Sequence, residues 1–406
     1  MLKKNNQSTA EHISLECIMA SLYFICLPFT VVTTPFGSLL KLVTIPIIAV
    51  LSVRMLMGKS DLSFNYIHFL YTMYILYTVS MLFVRADETA FVNTKDMILG
   101  IFMLLLISMK IYNKRELEFM ETAWLLMGIY CIIAGLSSKE VVSEYESRAV
   151  IRVLGFEEDQ NQFCAYFIMP VIISVKRFTE KRKLFPVYAV IIALSFYVIL
   201  KTGSRGGLIG VFVGVMAYIV IGIKSIPTKI IVTVLSILAI IAFITVVIPM
   251  LPEDVAMRFS VEAVEKDGGS GRFDIWKYLV EYSAQEPTRL IRGSGILSTY
   301  DIMHAAGFKN GVAHNAYIQI LNDEGIIGLL LFTAVICGCV LRNIGRKPLY
   351  ACAFIALLAF SMSLTFYVFK PYLNVMMMCA VSVYGELPED SLKTMKNIET
   401  EEKINA

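Results

Sequence analysis

The chain has 406 residues, of which 57% are apolar or aromatic and 17% charged, with a net charge of +3. A soluble domain is nearer half apolar and a quarter charged, so this composition excludes a soluble enzyme, a disordered scaffold and a nucleic-acid binder. The 36 basic and 33 acidic residues almost cancel, so any anion-binding role must fall to particular side chains.

A helical membrane span takes about 20 apolar residues, and the chain offers about twelve such runs. They lie at roughly 13–32, 38–56, 64–84, 97–112, 118–136, 162–175, 186–200, 206–223, 230–250, 325–341, 350–368 and 371–385. The runs are apolar on all sides, as lipid-facing helices should be. The expected fold is an all-α polytopic membrane protein, one integral membrane unit over residues 1–406. A long polar segment, 251–314, enters between the ninth and tenth spans and is expected to contain short helices. Residues 386–406 read as a cytoplasmic tail. The first run is long enough to span and lacks a cleavage site, so no cleaved signal is expected. The eight cysteines lie in or beside apolar runs, which excludes a disulfide framework and a zinc spacing.

Lys and Arg in short loops set orientation. Arg54, Lys59, Lys110, Lys114, Arg115, Lys176, Arg177, Lys181, Arg182, Lys183, Lys224, Lys229, Arg342, Arg346 and Lys347 occupy one set of loops. The alternate set carries fewer: Arg85, Lys95, Lys139, Arg148, Arg152, Lys201, Arg205 and Lys370. The first set and both termini are therefore expected in the cytoplasm as plain positive anchors, and 148–161, 201–207 and 251–314 outside. Lys41, His68 and Glu121 lie near run ends and read as interface residues. The lack of deeper charge argues against a proton-coupled pump or channel.

The outward loops hold the unusual chemistry. Lys201-Thr202-Gly203-Ser204-Arg205-Gly206-Gly207 joins two spans. Its glycines allow tight turns and close ligand approach, and a helix start beside Arg205 suits an anion; the alternative is a tight turn with a snorkelling Arg. In Gly271-Arg272-Phe273-Asp274-Ile275-Trp276, the residues Phe273, Trp276, Leu279 and Val280 fall on one stripe. That reads as an interfacial amphipathic helix anchored by Trp276, with Arg272 at its start. Arg292-Gly293-Ser294-Gly295 resembles a phosphate-cradling nest. His314-Asn315-Ala316-Tyr317 closes the long loop, followed by Asn322, Glu324, Gly325 and Gly328. A histidine there can serve as donor or base near neutral pH, or be a plain surface histidine. The 251–314 segment carries seven Lys/Arg against nine acids, so specific arginines, with their bidentate fork, must do any anion binding.

Taken in order, Ser204-Arg205-Gly206, Gly271-Arg272 with Trp276, Gly293-Ser294-Gly295, His314-Asn315 with Tyr317, and Glu324-Gly325 with Gly328 resemble the O-antigen ligase/polymerase superfamily. An upstream Asp-x-Asn, Asp159 and Asn161, is similar to that family's. The likeness covers roughly residues 148–341. It implies a GT-C-like, metal-independent glycosyltransferase in a bacterial cytoplasmic membrane, with its active site outward and no cofactor. The implied donor is an oligosaccharide on undecaprenyl pyrophosphate, held within the lipid bilayer; a chain-length regulator and a flippase are candidate partners, and nucleic acid is not one. Arg205 and Arg272 would hold the pyrophosphate, and His314 would orient or deprotonate the acceptor hydroxyl. Ser204, Gly206, Arg152, Asn161, Arg292, Asn315, Tyr317 and Glu324 would line the substrate. No metal ligand is expected, and the first outer loop, Thr33–Gly37, has no acid. A repeat-unit polymerase of O-antigen, capsule or exopolysaccharide is the leading reading. A ligase transferring glycan to a lipid A core is the nearest alternative. A polysaccharide or lipid-linked-sugar transporter is the alternative of another class; it would need polar residues through the bilayer, and the absence of an internal repeat weakens it.

Overall fold

The computed structural model describes residues 12–138, 140–142, 147–180, 182–242, 245–246, 248–250, 271–308, 311–365 and 370–384. Lys139, Gly268, Gly269, Lys309, the 251–270 half of the long loop and the 386–406 tail lie outside the described residues. The principal helices in chain order are α1 (Leu15–Ile25), α2 (Leu39–Leu56), α3 (Tyr66–Ser80), α4 (Glu88–Ser108), α5 (Lys114–Ser137), α6 (Gln160–Ala165), α7 (Ile168–Glu180) and α8 (Phe185–Lys201). They continue as α9 (Arg205–Ala217), α10 (Ile226–Ala242), α11 (Arg272–Ala284), α12 (Pro287–Arg292), α13 (Thr299–Ala305), α14 (Ala316–Asn343), α15 (Pro348–Ser361) and α16 (Lys370–Ala380). Half of them start where the sequence supplies a side-chain cap for the free N–H groups. Ser14, Ser38, Asp87, Asp159, Ser204 and Asn315 each accept from the first turn, and Asn65 with His68 and Asn113 with Glu116 form reciprocal capping boxes.

Among the described residues six helices are long and apolar enough to cross a membrane: Leu39–Leu56, Tyr66–Phe83, Glu88–Ser108, Lys114–Ser137, Arg205–Gly222 and Ala316–Asn343. Shorter apolar helices accompany them at Leu15–Ile25, Phe185–Lys201, Ile226–Ala239 and Pro348–Ser361. The protein is thus a mostly helical, multi-pass membrane protein. Two runs differ from their expected form. The run at 162–175 is divided between α6 and α7 by a turn at Tyr166 and Phe167. The run at 325–341 is only the second half of α14, which begins at Ala316.

The more basic loops meet at one end, and they are not plain anchors. Arg54 pairs with Glu16 at 2.6 Å, Lys110 with Glu116 at 3.0 Å and Lys176 with Glu121 at 2.9 Å. All three carboxylates are buried. Glu121 also accepts from the Tyr350 hydroxyl, so it is an internal ion-pair residue rather than an interface one. His68 is likewise fully buried, its Nε2 2.8 Å from the Ser108 hydroxyl. A buried carboxylate needs its cation, since breaking such a pair costs about 3–5 kcal/mol. A short parallel pair, Ile111–Tyr112 with Ser382–Val383, closes this end. Arg342 donates to Ser382 Oγ and Lys347 to the Val381 carbonyl.

Inside the bundle α9 lies against α15 and α7 through glycines. A Cβ at Gly206 would come 2.8 Å from Ser363 Cβ, one at Gly210 2.8 Å from Phe360 Cβ, and one at Gly214 2.6 Å from Ala356 Cβ. Gly207 faces Cys164 of α6. These glycines let two helices approach closely, as small residues do in membrane helix interfaces. The ligand-approach reading does not account for Gly206 and Gly207.

The described part of the long loop is fastened to α14 at a break. Gly325 has φ 68 and ψ −169, outside helical geometry. The break frees the carbonyls of Asn322 and Asp323, which accept from Ser294 N at 3.0 Å and Gly295 N at 2.8 Å. Gly293, φ 92, lies against the same stretch. A Cβ at Gly293 would sit 2.6 Å from the Asp323 carbonyl carbon, and one at Gly325 2.6 Å from that of Arg292. Gly325→Ala is therefore expected to destabilise the fold by about 1–3 kcal/mol from backbone strain alone. Gly345→Ala, in open space, should not. Thermal unfolding in detergent checks both; an unshifted midpoint for Gly325→Ala would show that the close approach can relax.

Candidate functional site

Arg205 is the first residue of α9, at the positive end of the helix dipole. Gly203, φ 64, makes the turn before it, and the Ser204 hydroxyl caps the helix by accepting from Gly207 N at 3.1 Å. The buried Thr202 hydroxyl lies 3.2 Å from Cys164 Sγ. This ties the turn to α6, whose own cap is Asp159, accepting from Gln162 N at 2.8 Å.

Arg272 is the first residue of α11, following Gly271 at φ 71. The expected stripe on this helix is corrected by the structure. Ile275, Leu279 and Ser283 are its buried residues, while Phe273 and Val280 are exposed. Ile275 and Leu279 form a small core with Met303 and Ala313. Trp276 is not simply an interface anchor, because its indole Nε1–H donates to the Ala313 carbonyl at 2.8 Å.

His314 is half-buried and has φ 50. A left-handed backbone at a residue with a Cβ costs roughly 1–2 kcal/mol and marks a position the surroundings enforce. Burial lowers its pKa from the ordinary histidine value, and the positive charge of Arg272 lowers it further; the negative charge of Asp159 works the other way. A histidine so placed is a neutral imidazole near pH 7, able to accept a proton. The sequence offers Asp159 only as part of the Asp-x-Asn pattern with Asn161; its charge acting on His314 is visible only in the structure.

Contacts also join the Arg205 turn to His314. Gly206 lies against Ser363, just beyond α15. Two residues on, the Thr365 hydroxyl donates to Gln319 Oε1 at 2.8 Å, and Gln319 Oε1 accepts from Ala313 N at 3.3 Å. The elements bearing Arg205, Arg272 and His314 thus converge. Gln319 was missed from sequence; its only signal is a polar residue in the first turns of an apolar helix.

The other expected substrate-binding residues divide. Asn161 is half-buried in the first turn of α6, beside Asp159. Arg152 sits on a hairpin, Ile151–Val153 with Phe156–Glu158, exposed and paired with Glu157 at 3.0 Å. Asn315 Oδ1 caps α14, accepting from Tyr317 N and Ile318 N. The Tyr317 hydroxyl reaches the Leu358 carbonyl of α15 at 3.1 Å. Arg292 is exposed, and the turn after it is no phosphate nest, because Ser294 N and Gly295 N are spent on α14. Glu324 is fully buried and faces α3, 3.2 Å from Thr78 Oγ1 and 3.4 Å from Tyr74 Oη. Neither residue joins the His314 cluster: the break at Gly325 turns Glu324 inward and takes up the backbone donors after Arg292. Among the described residues no group of three or more His, Cys, Asp or Glu is placed to hold a metal ion.

A multi-pass membrane protein with a basic, histidine-bearing cluster at one end of its bundle is the class these features define. Residues 188–333 match the family model described as O-antigen ligase, a stretch that contains Arg205, Arg272 and His314. Over that stretch, about a third of its length, the chain is similar to the O-antigen ligase/polymerase superfamily. No curated protein matches the chain. It is similar to a solved chain described as "Structural coordination of polymerization and crosslinking by a peptidoglycan synthase complex". The identity is 15%, covering 79% of this chain and 97% of that one, with a TM-score of 0.48.

The charges around His314 predict opposite shifts. Arg272→Gln should raise its titration midpoint toward the ordinary value, and Asp159→Asn should lower it further. The rate of diethyl pyrocarbonate modification of His314 against pH, mapped by peptide mass, measures both; equal midpoints in all three proteins would refute the charge assignment.

Proposed function

We propose that the protein is a surface-polysaccharide polymerase. It transfers glycan from undecaprenyl pyrophosphate onto a lipid-linked repeat unit at the outer face of a bacterial cytoplasmic membrane. The observation that carries this reading is the convergence of the Arg205, Arg272 and His314 elements within the stretch that matches the O-antigen ligase model. In this reading the chain is a single GT-C-like membrane unit of about twelve spans, with 251–314 outside and 386–406 in the cytoplasm. A chain-length regulator and a flippase would work beside it.

The acceptor hydroxyl attacks the anomeric carbon as its bond to the pyrophosphate oxygen breaks. The hydroxyl proton passes to neutral His314, and undecaprenyl pyrophosphate departs with the bonding electrons. Charge grows on the leaving group, so Arg205 and Arg272 stabilise the transition state more than the ground state. Two guanidinium groups suffice for this, so the reading requires no metal and no cofactor. The low pKa of His314 keeps the acceptor imidazole unprotonated to lower pH than an ordinary histidine. The acid limb of kcat/KM should then fall below pH 6.5.

The family description favours one second reading, a ligase that moves the finished glycan to a lipid A core; the same pyrophosphate grip serves both. The test is purified protein in detergent with undecaprenyl-pyrophosphate-linked repeat unit and EDTA. A product ladder is expected, reduced about 100-fold or more in Arg205→Ala and His314→Ala. Transfer only to an added lipid A core would establish the ligase instead. A ladder unchanged in both variants would overturn the site.

A further inference from the structure

His314 follows a residue whose two polar backbone groups are both held by side chains. The Ala313 carbonyl accepts from Trp276 Nε1 at 2.8 Å, and the Ala313 N–H donates to Gln319 Oε1 at 3.3 Å. Ala313 is fully buried and Gln319 is only 1% exposed. Asn315, directly after His314, is fixed as a helix cap. His314 itself has the left-handed φ of 50. Such a backbone persists only where its neighbours over-determine it, and here they do so on both sides.

We propose that Trp276 and Gln319 are positioning residues for His314, forming a two-sided clamp on Ala313 that sets the imidazole relative to both arginines. The inference rests on the role assigned to His314 above. Trp276 lies on the helix that Arg272 begins, so its bond fixes His314 against Arg272. Gln319 also accepts from Thr365, two residues past the Ser363 that backs the Arg205 turn. Its bond therefore fixes His314 against Arg205. Neither residue reaches the reacting atoms in this scheme. Without the clamp the backbone can relax toward negative φ and swing the ring away.

Trp276→Phe keeps an aromatic ring and removes the N–H; Gln319→Met keeps the length and removes the acceptor. Both are assayed as full-length protein in detergent with undecaprenyl-pyrophosphate-linked repeat unit, beside His314→Ala, with melting temperature recorded. The expected result is a kcat lowered about ten- to a hundredfold, the cost of misplacing a group by about 1 Å, with KM within about twofold. The acid limb of kcat/KM should move up toward pH 6.5 as His314 loses its buried setting. Two results overturn the clamp while leaving the site intact, provided His314→Ala is inactive. One is wild-type kcat and an unmoved limb in both variants. The other is activity lost only in proportion to folded protein, again with an unmoved limb. An active His314→Ala would overturn the role of His314 and this inference with it.

Discussion

Two backbones touch where Gly325 breaks α14 and Gly293 passes it, and the described part of the long loop depends on that crossing. Neither position has room for a Cβ. The carbonyls lost to the helix are not left bare; they are taken by Ser294 and Gly295, as buried backbone groups require. The Tyr77 hydroxyl lies 2.9 Å from the carbonyls of both Arg292 and Glu324, stitching the two strands of the crossing to α3. Asp323 turns its carboxylate to the start of α13, accepting from Thr299 N at 2.8 Å and Thr299 Oγ1 at 2.7 Å. Arg85, in the segment between α3 and α4, reaches Asp301 and the Ile296 carbonyl. The platform that carries Arg272 and leads to His314 is thus hung from one interruption in one helix.

The opposite end of the bundle solves a different problem. Glu16, Glu116 and Glu121 are buried, and each has its own cation: Arg54 in the last turn of α2, Lys110 just past α4 and Lys176 in α7. Such pairs contribute little net stability over apolar packing, but they penalise mispairing, since any other arrangement leaves a buried charge alone. One end of the molecule is registered by ion pairs, the other by backbone contact.

Much of the helical layout was legible in the chain because apolar runs are local signals. The apolar runs at 38–56, 64–84 and 118–136 fall on α2, α3 and α5, whereas the caps Ser14, Asn65, Asp87 and Asn113 emerge only in the structure. Arg205, Arg272 and His314 stood out as candidates because each lies at a glycine-rich or cap-bearing start of a helix. Glu324 and Arg292 misled for the opposite reason. A polar residue beside a glycine reads the same whether the glycine makes a loop or a break, and only the partner backbone at Gly293 decides between them. The stripe on α11 misled because helical periodicity defines faces without saying which is covered. Met303 and Ala313, distant in sequence, cover the Ile275 and Leu279 side. Gln319 and Trp276 act through backbone atoms of another segment, a relation that leaves no periodic trace.

The glycine seam on α9 has a consequence for depth. Because Gly206, Gly210 and Gly214 admit Ser363, Phe360 and Ala356 so closely, α9 cannot slide along α15 without a clash at each step. The altitude of the Arg205 guanidinium relative to the rest of the bundle is therefore a property of protein packing. A thicker or thinner bilayer is met by tilt of the whole bundle or by deformation of the lipid; the two arginines and the histidine ride at a constant level with respect to one another, like marks on one ruler.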